Sequence, residues 1–146
     1  MGLDQYAGLR DSNGQVHIDF ENVYSDKYDP MKHGFVWRKH ARLQVFMNRQ
    51  HKKQLSEKKH NTVEDLQHLG FNAGEGGVKI TEELIKELEE QVKNDYWDCF
   101  ASDGFFWGQQ FQEQAVKEYK AQDKKFIKWA KEQLKAGRSI GYDCSW

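Results

Sequence analysis

His40, in the stretch FVWRKHARLQ, is the side chain type that titrates most readily near neutrality. It has two readings. One is a half-buried histidine hydrogen-bonded to backbone or to a carboxylate; the other is a general base or ligand-gripping group. No nucleophile in a recognisable motif accompanies it. Asp123 is the second residue of interest. At roughly 100° per residue it falls in the middle of an apolar helix face made by Val116, Tyr119, Phe126, Ile127, Ala130 and Leu134. An unpaired carboxylate there would be costly. It must pair with a buried Arg or His, unless the helix kinks or frays. The pair is then either a structural ion pair or a catalytic carboxylate.

Cationic residues form two further patterns. Lys117, Lys120, Lys124, Lys128, Lys131 and Lys135 fall within an arc of about 80° on one helix. Glu113–Lys117 is the best-oriented acidic pairing, so most of the charge is uncompensated within the helix. The stripe is a solvated face or the seat of an anionic partner, nucleic acid or acidic protein. On an earlier helix Arg38, Arg42 and Arg49 fall together, with Lys52 and Lys53 near them, opposite Val36, Leu43 and Met47. These two basic faces are the candidate macromolecule-binding surface. No G-x-x-x-x-G-K-[ST], G-x-S-x-G, H-E-x-x-H or EF-hand loop is present. Gly74-Glu75-Gly76-Gly77 follows no convincing strand, and its Glu would repel phosphate. The expected catalytic and metal-ligating sets are therefore empty, and no cofactor is implied.

The elements that must position these residues can be read from patterning. Residues 1–9 read as a strand and residues 15–24 as a second, with Val16, Ile18 and Phe20 alternating against His17, Asp19 and Glu21. Asp11-Ser12-Asn13-Gly14 supplies hairpin turn chemistry between them. Residues 25–34 read as a loop, and 35–55 as a helix carrying His40 on its apolar side. Residues 61–80 read as irregular. Thr81 caps a second helix, with Glu82 and Glu83 in its first turn and Leu84, Ile85, Leu88 and Val92 on one face. Residues 94–111 form a loop crowded with aromatics, Trp97 and Trp107 among them. A third helix spans residues 112–136 and stops at Gly137. The tail reads as a last strand, pairing antiparallel with the N-terminal one and sending Ile140, Tyr142 and Cys144 to one face. The expected fold is α+β: a small antiparallel sheet, of N-terminal hairpin plus C-terminal strand, packed on about three helices as a single domain over residues 1–146.

Composition agrees with a packed core. The chain is 38% apolar and 14% aromatic, too rich in both for disorder. Its net charge of −1 gives no global pull toward nucleic acid or membrane. Locally the charge is segregated: residues 1–30, 31–60, 61–113 and 114–146 carry nets of −4, +8, −9 and +4. No stretch approaches the ~18 apolar residues of a membrane span. Residues 1–6 lack the layout of a signal peptide. Cys99 and Cys144 read as reduced thiols in or near the core.

MGLDQY, FVWRKHARLQ, GFFWG at residues 104–108 and YDCSW, in that order, resemble a group of small uncharacterised proteins of tailed bacteriophages, notably cyanophages and other marine phages. The resemblance rests on Asp4, Tyr6, Trp37, Arg38, Lys39, Phe105, Phe106 and Gly108. It implies a setting, the infected bacterial cytoplasm, and an architectural role for these residues, with the terminal strands paired and the Phe pair in the core. The chain departs from many of these relatives in Trp107, where another Phe is expected, and in Gln109, where Ser is usual. The leading expectation is a non-enzymatic phage accessory protein binding a host or phage macromolecule, with no membrane partner. The alternatives are nucleic-acid binding through Arg38, Arg42, Arg49, Lys120, Lys124 and Lys128, with Trp107 contributing, or a small-ligand pocket lined by Asp4, Tyr6, Arg38, His40 and Asp123.

Overall fold

A computed structural model of the chain describes residues 3–57, 77–99 and 112–145. Its elements run β1 (Asp4–Leu9), α1 (Pro30–His33), β2 (Phe35–Arg38), α2 (Ala41–Glu57), β3 (Val78–Ile80), α3 (Glu82–Lys93), α4 (Gln112–Lys135) and β4 (Ile140–Ser145). The strands form an antiparallel sheet in the order β2-β1-β4-β3. The fold is α+β, as the patterning predicts. The terminal strands are the two central ones, paired from Asp4↔Ser145 to Leu9↔Ile140.

Period-2 alternation decides what each strand buries. Gln5 and Ala7, Phe35 and Trp37, Val78 and Ile80, and Ile140, Tyr142 and Cys144 all turn inward, where α2, α3 and α4 cover them. Phe35, Trp37, Phe126 and Trp129 stack into an aromatic cluster with ring centroids 5.2–6.2 Å apart. α3 follows its sequence signals: the Thr81 hydroxyl accepts from the Leu84 N–H, and Leu84, Ile85, Leu88 and Val92 are buried. α4 ends before Gly137, which takes φ +79°.

Three expectations need correction. Residues 15–24 do not form a strand. β1 is flanked by β2 on one edge and β4 on the other, so no edge remains for a hairpin partner. The chain makes one bridge, Arg10↔Val16, then crosses the outer face of the sheet. It lies close enough that a Cβ on Gly8 would sit 2.6 Å from the His17 carbonyl oxygen, and one on Gly141 2.9 Å from Val16 Cγ2. Secondly, residues 35–38 are strand, not helix. Phe35 and Trp37 bury alternately, and Lys39 at φ +58° turns the chain before α2 begins at Ala41. Thirdly, residues 78–80 form β3 within the stretch read as irregular, and Pro30–His33 form one turn within the stretch read as loop. Residues 61–76, the GFFWG segment with Trp107, and Trp146 lie outside the described residues.

The sheet's edges are closed by side chains. On β3, Gln54 donates to the Lys79 carbonyl at 2.7 Å and accepts from the Lys79 N–H at 2.9 Å, as a neighbouring strand would. On β2, Gln122 donates to the Val36 carbonyl, while the Tyr28 and Tyr119 hydroxyls accept from the N–H groups of Val36 and Arg38. Both edges are thereby blunted against pairing with another chain.

Because β4 is hydrogen-bonded on both sides, deleting residues 139–146 splits the sheet. The truncated chain is expected to lose its cooperative thermal unfolding transition in circular dichroism. A melt at the parent temperature would show that the tail is not a core strand.

Candidate functional site

The two residues singled out first meet in the core. Asp123 is 1% exposed and His40 fully buried. His40 Nε2 lies 2.9 Å from Asp123 Oδ2. Trp37 Nε1 donates to Oδ1 at 2.7 Å, and the Tyr96 hydroxyl donates to Oδ2 at 3.3 Å. The carboxylate from α4 thus gathers a donor from β2, one from the β2–α2 link and one from the turn after α3. The carboxylate oxygens accept, so the His40 ring nitrogen that faces Asp123 donates as Nε2–H. Among the described residues Nδ1 has no hydrogen-bond partner. The imidazole is held between the Tyr119 ring, stacked at 5.6 Å, and the Tyr96 ring, edge-on at 5.2 Å.

His40 is not on the helix face where patterning places it. It sits just before α2, and its carbonyl accepts the first helical hydrogen bond, from Gln44 N. Gln5 fixes it there: its amide oxygen accepts from the His40 N–H at 2.9 Å, and its Nε2 donates to the His40 carbonyl at 3.0 Å. The same Nε2 donates to the Tyr142 hydroxyl, which donates to Gln44 Oε1, and Gln44 Nε2 reaches Cys144 Sγ. Burial, with Asp123 beside Tyr96 and Cys144 beside Tyr142, pushes both phenols well above their ordinary range. Sequence reasoning missed this glutamine–tyrosine chain, although Gln5 shares the inward parity of Leu3 and Ala7.

The expected pocket does not assemble. Asp4, Tyr6 and Arg38 lie on the outer face of the sheet, with Asp4 paired across strands with Arg38 at 3.8 Å. His40 and Asp123 lie beneath the inner face. The sheet itself separates the two groups. Tyr6 packs edge-on against Phe20, and burial, with Asp143 nearby, pushes its hydroxyl up to about 12. Among the described residues no three His, Cys, Asp or Glu side chains gather as metal ligands.

The basic residues separate too. Arg38 belongs to β2 and is exposed. Arg42 is buried and donates to the Asp95 carbonyl at 2.8 Å. Arg49 donates to the Asp98 carbonyl and lies 3.4 Å from its carboxylate. The arginine face predicted for the first helix is therefore not one surface, and Arg42 is a core-facing clamp. The lysine stripe of α4 survives. It borders a groove against α3, about 430 Å³ in volume, with Val92 and Ile127 at its base and Lys93, Lys120, Lys124, Lys128 and Lys131 along its walls. Lys120 pairs with Asp95 at 2.6 Å and Lys131 with Glu89 at 2.5 Å. The Lys120 ammonium holds the Asp95 carboxyl below its ordinary range. Lys93, Lys124 and Lys128 make no ion pair among the described residues. Lys93 and Glu89 were absent from the expected set, although their i,i+4 spacing around Val92 places them on this side of α3.

Cys99 and Cys144 are free and buried, as expected of core thiols. Burial pushes the Cys99 thiol up to about 12, with Arg49 nearby opposing the rise. Comparison with known proteins adds no relative: no family model, curated protein or solved structure matches the chain.

Asp123 therefore carries a stability prediction. Asp123→Ala strands the Trp37, His40 and Tyr96 donors and is expected to cost about 3–5 kcal/mol in urea unfolding. Asp123→Asn, which keeps a single acceptor oxygen, is expected to cost less. Equal and negligible losses for both would show that the carboxylate does not hold the core.

Proposed function

We propose that the protein is a non-catalytic binding protein that holds an anionic macromolecule in the groove between α3 and α4. The phage resemblance makes the infected bacterial cytoplasm its setting and a host or phage component its partner. One observation carries the reading: Lys93, Lys124 and Lys128 converge on an apolar-floored groove with no ion pairs among the described residues. Five lysines against Glu89 and the neighbouring Asp95 leave the groove net positive, and an anionic partner relieves the remaining repulsion. The flanking Lys120–Asp95 and Lys131–Glu89 pairs tie α4 to the α3 side and keep the two walls in place.

Two further features support binding over catalysis. His40 and Asp123, the residues best suited to proton transfer, are sealed in the core with the carboxylate saturated by three donors. The sheet edges are closed, so recognition by strand addition is not favoured on the β2 or β3 side. No described helix is long and apolar enough to cross a membrane.

The test is fluorescence anisotropy with labelled polyanions at low and moderate salt. The parent protein is expected to bind, with affinity falling as salt rises. Reversing Lys93, Lys124 and Lys128 to Glu should weaken binding by at least about tenfold. A parent that binds no polyanion at low salt would sink this reading.

A further inference from the structure

We infer that the partner of the groove is single-stranded nucleic acid, its phosphates tracked by the lysines and one base stacked on Trp97. This deepens the proposed function and rests on it. The first observation is the ladder itself. Lys120, Lys124 and Lys128 recur every four residues, a rise of about 6 Å between successive ammonium-bearing positions. Such a row follows a linear chain of charges, not a compact ion. Lys93 faces it from α3, so the path is lined on both sides.

The second observation is Trp97. It is 62% exposed, the most exposed indole among the described residues, and it lies two residues beyond Asp95. Asp95, whose carboxylate grips Lys120 at 2.6 Å, lies two residues before Trp97, so their backbones are at most about 7 Å apart. Asp95 and Tyr96 hold left-handed conformations, φ +55° each, and Tyr96 is anchored on Asp123. The turn that presents Trp97 is therefore fixed from the core. A solvent-facing indole on the turn that grips a cationic track matches how single strands are held: phosphates by cations, bases by aromatic faces.

The third observation is the groove's shape. Its walls are two packed helices, whose axes in such pairs run about 8–10 Å apart, and its floor is the apolar pair Val92 and Ile127. One strand can lie along this surface groove with its bases over that floor. A duplex would meet only the rim lysines. An acidic polypeptide could use the lysines but carries no base for the indole.

The test compares a short labelled oligo(dT), the corresponding duplex and polyglutamate, with circular dichroism melts confirming that each variant is folded. The parent protein is expected to favour oligo(dT), with its intrinsic tryptophan fluorescence quenched on binding. With three unpaired lysines engaged, the log–log salt slope should be about −2. Trp97→Ala should weaken oligo(dT) binding about tenfold and leave polyglutamate unaffected. The double variant Lys124→Glu with Lys128→Glu should weaken both. Polyglutamate or duplex bound as tightly as oligo(dT), or no effect of Trp97→Ala, overturns this inference and leaves the anionic groove standing. Failure to bind any of the three polymers overturns both.

Discussion

A carboxylate placed in the middle of an apolar helix face must be satisfied from within the protein, and here Asp123 imposes that demand on everything around it. Its oxygens take donors from Trp37 and His40, which flank the β2–α2 link, and from Tyr96, far along the chain. Each donor arrives from a different element, so their meeting fixes β2, the start of α2 and the turn after α3 relative to α4. The backbone shows what that convergence requires. Among the described residues, the non-glycine positions with positive φ are Lys39, Asp95 and Tyr96. Lys39 precedes His40, and the other two form the turn that delivers the Tyr96 hydroxyl. A left-handed residue with a Cβ costs roughly 1–2 kcal/mol. Such conformations persist where surrounding structure over-determines them, and hydrogen bonds to a charged group, at about 1.5–3 kcal/mol each, are of the size needed to offset them.

A second polar system repeats the principle with neutral groups. Gln5 takes both backbone groups of His40, much as Gln54 takes both backbone groups of Lys79. A primary amide offers a donor and an acceptor side by side, the same pattern as a strand's outward peptide. It can therefore end a sheet without leaving polar groups unpaired or inviting another strand. These interactions leave the outer lysine face of α4 and the turn bearing Trp97 as the chemically assertive surfaces on the inner-face side of the sheet. Core chemistry fixes that surface.

Much of this was legible in the chain. Helices α3 and α4 were visible because their signals are local: a Thr cap, acidic first turn, one apolar face and a terminal glycine. The pairing of the termini was visible because each is a short helix-free segment unstable alone, and a two-stranded ribbon is only marginally stable in water. Asp123 declared its need for a buried Arg or His through its helical phase alone, and that partner proved to be His40. The failures were those of competition between elements. Val16, Ile18 and Phe20 alternate well enough for a strand, but β4 and β2 occupy both edges of β1. Phe35 to Arg38 fit a helical wheel as readily as a strand, since four residues cannot separate the two periods. That misassigned phase also placed Arg38 and Arg42 together, whereas one is exposed on the sheet and the other buried against the Asp95 turn. Asp4, Tyr6 and Arg38 do share a face, yet which side of the sheet faced His40 depended on tertiary packing that no local pattern encodes.

Asp123 acts by joining donors from separate elements. A double-mutant cycle in urea unfolding measures that joining directly, with Trp37→Phe, Asp123→Ala and the two combined. Trp37→Phe removes the indole donor and also some packing, and the cycle cancels the packing loss. The account predicts a coupling energy of roughly 1–3 kcal/mol between the two positions. Strictly additive losses, with no coupling beyond error, would mean that the carboxylate and the indole do not hold one another, and the account would fail at its base.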